Sequence, residues 1–165
     1  MTIVDASSQT QIVVHDSKSG GISTKSGSLI YTKQNTYTQG SGNNQIGIQF
    51  NDERTLSAGA NEVLDFSGTM LQDDFGNNIA LTKIKELLIE NESLTGTLSV
   101  GGGTSNLVLD VDHATVTNVI QPGGRMHIVN PLAGWTVTAT TGDLLKITNG
   151  DGSNATTYKI VVLGI

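Results

Sequence analysis

From Gln45 onward the chain alternates: Ile46, Ile48 and Phe50 are separated by Gly47 and Gln49, the period-two pattern of a strand with one buried face. A second strand is expected at Glu62–Phe66. The run Asp73-Asp74-Phe75-Gly76-Asn77-Asn78 then reads as a turn, because Asp, Gly and Asn tolerate tight or left-handed backbone. Strand-like segments recur at Leu94–Val100, Asn106–Asp110, Ala114–Ile120, Met126–Asn130, Trp135–Ala139, Leu144–Thr148 and Thr156–Leu163. Their separators are turns. Gln121-Pro122-Gly123-Gly124 fits a type II turn, with Pro122 at the second position and Gly123 at the third, where positive φ is required. Pro131–Gly134 and Asn149–Asn154 supply two more reversals. One stretch is mixed: Leu81, Ile84 and Leu88 have helical spacing, whereas Leu87 and Ile89 alternate. We expect one helical turn at Leu81–Lys85 leading into a strand at Leu87–Asn91. The whole pattern predicts an all-β chain, an antiparallel β-sandwich of jelly-roll-like form with at most one short helical turn.

Residues 1–40 differ from the rest. They are polar and rich in Gly, Ser and Thr, with short apolar runs at Ile12-Val13-Val14 and Leu29-Ile30-Tyr31. We expect them to form an arm or an added hairpin that contacts a partner, beside a sandwich domain over residues 41–165. Tyr31 and Tyr37 are the candidate partner-binding residues of that segment, with local packing an equal alternative for each. Trp135, the only tryptophan, starts a strand after a glycine turn, where core packing outweighs a role as a sugar-stacking platform.

Composition narrows the function classes. Nine Lys and Arg against fifteen Asp and Glu give a formal charge of −6, which argues against binding nucleic acid or an anionic membrane. With no cysteine, disulfides, thiolate metal sites and thiol catalysis are excluded. No apolar stretch approaches the ~18 residues that span a bilayer. The amino terminus has no basic start followed by an apolar run, so a secretory signal is not expected and the chain reads as one made in a cytoplasm. Charged residues are 15% of the chain, low for a free monomer, and a Thr, Ser, Asn and Gly surface suits a protein packed against neighbours.

Candidate chemistry is sparse. His15, His113 and His127 are the only imidazoles, and none has zinc-like spacing to another. Asp110 and Asp112, beside His113, fall on one face of an extended segment and are candidate ligands for a divalent cation, although a solvated strand end is the simpler reading. Asp151 lies in Asn149–Asn154, which lacks the spaced acids and the closing Glu of a calcium loop. The carboxylate pairs Asp73/Asp74 and Glu90/Glu92 have the chemistry of general acids and bases, but spacing alone does not hold them in a cleft. No nucleophile motif is present, so neither an enzyme nor a cofactor is expected.

The phrases TLSAGANEVLDFSGTMLQDDFGNNIALTKIK (55–85), LTKIKELLIENES (81–93), LSVGGGTSN (98–106) and IQPGGRMHIVNPLAGWTVTATTGDLLKITNGDGSNATTYKIVVLGI (120–165) resemble small virion structural proteins of tailed bacteriophages and prophages. The resemblance covers roughly residues 45–165. It implies a β-sandwich that assembles on a virion and carries no catalytic residues. Within that class the expectation is a capsid decoration or cement protein that binds the major capsid protein or another virion protein and self-associates, with a homotrimer expected at threefold lattice positions. The alternatives are a tail or baseplate module, or a carbohydrate-binding module, recognising a host glycan.

Overall fold

A computed structural model describes residue 3 and residues 5–68, 70–105, 107 and 117–165. Twelve strands and no helix occur among the described residues: β1 (Ala6–Ser19), β2 (Thr24–Gln39), β3 (Gln45–Ile46), β4 (Ile48–Leu56), β5 (Asn61–Asp65), β6 (Lys83–Asn91), β7 (Leu98–Gly101), β8 (Thr117–Ile120), β9 (Arg125–Val129), β10 (Trp135–Thr136), β11 (Leu144–Asn149) and β12 (Thr156–Gly164). The chain is all-β, and every strand pairing is antiparallel except the short β2–β3 contact. The expected strands at Asn106–Asp110 and at the start of Ala114–Ile120 lie outside the described residues.

Two sheets make the body. The larger runs β10-β6-β12-β4, and β9 also pairs with β6, over Glu86–Glu90 where β10 covers only Lys83 and Ile84; the smaller runs β5-β11-β7-β8. The chain crosses between them repeatedly: β4 to β5, β5 to β6, β6 to β7, β8 to β9, β10 to β11 and β11 to β12. Each crossing puts alternate residues of both sheets into one core, which is why period-two segments suffice to build it. Leu64, Leu98, Leu145 and Ile147 of the smaller sheet meet Phe50, Leu87, Ile89, Tyr158 and Val162 of the larger. Phe50 and Phe66 pack edge to face at 6.1 Å.

The expected helical turn at Leu81–Lys85 is absent; β6 starts at Lys83 as a strand. The reason is a bulge. Leu163 pairs with Glu86 and Gly164 with Ile84, so Lys85 is an extra residue in the ladder. An inserted residue reverses the facing of the residues beyond it. Ile84 and Leu87 therefore both enter the core while three positions apart, which imitates a helix. Lys85 itself is buried, its Nζ donating to the carbonyl of Leu132 in the turn between β9 and β10.

The hairpin β1–β2 departs from this body. It is a two-stranded ribbon paired without interruption from Ala6 with Tyr37 to Ser19 with Thr24. Fourteen residues of extended strand span about 45 Å. Only its root is buried. There Ile3, Tyr37 and Ile46 form a second, small core against Ala6 and Leu163.

Candidate functional site

The arm is rooted on the outer face of the larger sheet, and strand register determines what that face presents. Across β4, β12, β6 and β9, one row reads Glu53, Lys159, Glu90, Arg125; the next reads Asn51, Val161, Leu88, His127; the third reads Gln49, Leu163, Glu86, Val129. The third row lies beneath the arm root. The second stays open, its half-buried Leu88 and Val161 flooring a groove of about 780 Å³ that is bordered by Asp5, Ser8, Asp74, Glu86, Arg125 and His127.

Glu86 joins arm to body. Its Oε2 accepts from Tyr37 Oη at 2.7 Å and from Ser8 Oγ at 2.8 Å, while Oε1 lies 2.7 Å from His127 Nε2. Burial pushes this carboxyl up, but the hydrogen bonds from His127, Tyr37 and Ser8 outweigh it and hold the carboxyl below its ordinary value. Burial, reinforced by Glu86, pushes the Tyr37 phenol well above its usual range, so it remains a donor. The order of these groups is not that of nucleophilic catalysis, where the base stands between hydroxyl and acid. Here the acid stands in the middle, and Ser8 is bonded to Glu86 rather than to His127. The cluster fixes the arm's direction instead of activating a hydroxyl.

No family model and no curated protein matches this sequence.

The residues singled out in the sequence are dispersed. Tyr37 is 2% exposed and sits in the small core, so of its two expected roles its side chain takes local packing rather than partner binding. The cause is its position opposite Ala6 at the root, where the ribbon meets Leu163. Tyr31 is 53% exposed, farther out on the arm, beside a notch of about 470 Å³ between the arm and the turn that carries Leu132. Trp135 is buried in the main core. Gly123 has φ of 69° and Gly124 N–H donates to Gln121 O at 2.9 Å, giving Pro122-Gly123 the geometry of a type II turn.

Asp110, Asp112 and His113 lie outside the described residues. Asp151 Oδ1 accepts from the amides of Ser153 and Asn154, and its Oδ2 from Asn154 Nδ2 and Thr95 Oγ1. It therefore closes a loop. Asp73 does the same through Phe75 and Asn77, and Glu92 pairs with Lys159. Among the described residues no group of three or more His, Asp or Glu is placed to hold a metal ion.

Sequence reading missed Glu86, Ser8 and Leu88. No local signal marks them, because their shared face exists only once β6 pairs with β12 and the arm root crosses both. His127 had one usable cue, an imidazole in an alternating strand, but its partner is forty-one residues away.

Proposed function

We propose that this protein is a non-enzymatic virion structural protein, a decoration protein on the outside of a tailed-phage head that stabilises the capsid by reaching from its own position onto neighbouring subunits. The observation that carries this reading is the arm. A ribbon two strands wide has no second layer to bury its apolar residues, and isolated hairpins are marginal in water. Here Ile12, Val14, Leu29, Ile30 and Tyr31 are each about half or more exposed. The arm is nonetheless fixed at its root by the Glu86 cluster and the small core. Fixing a contact element before binding reduces the ordering cost of association, and repetition over a lattice multiplies modest contacts. The acidic charge of the chain keeps it from competing for packaged nucleic acid.

A tail module or carbohydrate-binding module recognising a host glycan would need aromatic rings around an open groove. Trp135 and Tyr37 are buried, the exposed Tyr31 and Phe75 stand on the arm and in the Asp73–Asn78 turn, and among the described residues no ring lines the open groove. The deciding experiment is cosedimentation of the purified chain with capsids lacking it. Saturable binding at a fixed ratio to the major capsid protein is expected; absence of binding, with binding to a host polysaccharide instead, would overturn the decoration reading.

A further inference from the structure

The register of the arm sorts its residues into two unlike faces, since paired residues of an antiparallel ladder share a face and successive ones alternate. One face carries Ile12 opposite Tyr31 and Val14 opposite Leu29. It also carries every Lys and Asp of the hairpin, Lys33 opposite Thr10, Asp16 opposite Gly27 and Lys18 opposite Lys25, a formal +2. The other face is Ser, Thr and Gln apart from His15 and the Val13–Ile30 pair. The basic and apolar face is the one that lies on the body at the root, where it contributes Ala6, Tyr37 and Ser8. Farther out along the arm its residues are exposed.

The body presents the complement. Its open groove has an apolar floor, Leu88 and Val161, and is lined by Asp5, Asp74 and Glu86 against Arg125 and His127; in the neighbouring row Glu90 lies opposite Lys159, which pairs with both Glu53 and Glu92, so acids outnumber cations across that face. Charge divides the same way over the whole chain. Residues 6–39 hold three lysines and one acid, a formal +2, and since the chain carries −6 the remainder carries −8. Lys18 and Lys25 stand directly opposite one another with Asp16 as the one acid of their face, and a carboxylate-rich surface relieves the repulsion that remains. Arms bundled against arms would add to that repulsion; an arm laid on another copy's body removes it.

We propose that the basic and apolar face of the arm docks on the outer sheet face of a second copy of this chain, covering its Leu88–Val161 groove. Reciprocal docking gives a dimer and cyclic docking a closed ring, because the contact joins two different surfaces. The inference rests on the arm being the contact element of the assembly role above, and it names the neighbour.

The test uses the purified full chain, free of particles. Mass photometry is expected to find an oligomer that Val14→Asp with Leu29→Asp dissociates, raising the dissociation constant at least tenfold. Ser28→Asp, on the opposite face, is expected to leave it intact. A second measurement does not depend on how the double variant folds. The chain has no cysteine, so Leu29→Cys chains mixed with Val161→Cys chains under oxidation should join as a covalent heterodimer. A monomeric wild type, an oligomer indifferent to the arm variants, or failure of the two cysteines to join would each overturn the docking. A monomer that still cosediments with capsids would sink self-docking alone, whereas an oligomer that ignores capsids would sink the particle reading alone.

Discussion

Leu87-Leu88-Ile89 in the body and Ile12-Val13-Val14 in the arm are the same kind of text, three aliphatic residues in a strand, with opposite fates. Leu87 and Ile89 are fully buried, because β12 and β9 flank their strand and a second sheet covers its inner face. Ile12, Val13 and Val14 are about half exposed, because the arm has one neighbouring strand and no second layer. Burial here follows from the number of layers, not from hydrophobicity. An aliphatic run in the body holds the fold together, whereas the same run in the arm stays available to another surface.

The largest test of that difference is one substitution made twice. Leu87→Ala empties a site in the main core and should cost about 2–5 kcal/mol in urea unfolding. Leu29→Ala removes a side chain that is already 58% exposed and, measured at protein concentrations low enough that the chain is monomeric, should change stability by less than about 0.5 kcal/mol. Equal costs would mean that the arm is folded onto something in the isolated chain, and the contrast would fail.

The root is the boundary, and a smaller effect is expected there. Tyr37→Phe deletes one donor to a buried carboxylate and should cost about 1.5–3 kcal/mol. The loss should appear first as faster amide exchange in Ala6–Gln9, before the main core responds. Acid should act at the same place. The folded-state pKa of Glu86 lies below its unfolded value, so its contribution is complete above the ordinary carboxylate range and is lost as pH falls through the folded value. Glu86→Gln should flatten that acid limb at the root, and an unchanged pH profile would show that another carboxylate governs it.

These regions were unequally legible in the sequence. The body's strands announce themselves by alternation, and Gly123 by a turn that needs positive φ. The bulge at Lys85 defeated the same logic, since it spaces Ile84 and Leu87 like helix neighbours. The sequence left Tyr37 open between partner contact and packing because its burial depends on Leu163, at the far end of the chain. The aliphatic runs of the arm were visible, but their sorting with Lys18, Lys25 and Lys33 onto one face needed the register. A strand's neighbours are set by tertiary pairing, and local pattern carries no record of them.

A further pair of substitutions separates backbone from packing. Gly123 has positive φ with open space around it, so Gly123→Ala should cost about 1–2 kcal/mol from the left-handed backbone alone. Gly21, at the arm tip, has equally open space and no positive φ, so Gly21→Ala should be neutral within about 0.5 kcal/mol. Matching melting temperatures for the two variants would remove the backbone argument for the Pro122-Gly123 turn.

The smallest expected change in stability goes with the largest expected loss of association. Removing the whole of residues 1–40 would confuse the two, because it takes Ile3 and Tyr37 out of the small core and strips two donors from Glu86. Replacing only residues 11–32 by Asn-Gly keeps the root. Thr10 and Lys33 are paired, in the same hydrogen-bonded phase as Gly20 and Ser23, and a two-residue Asn-Gly turn closes an antiparallel ladder at such a pair. With both compared as monomers, the shortened chain should unfold cooperatively within about 0.5 kcal/mol of the full one, since the residues removed are exposed. It should also lose both self-association and capsid binding. If stability falls by several kcal/mol instead, the distal ribbon packs on its own body in solution. The exposed aliphatic face would then be part of the fold, and no partner would be needed to explain it.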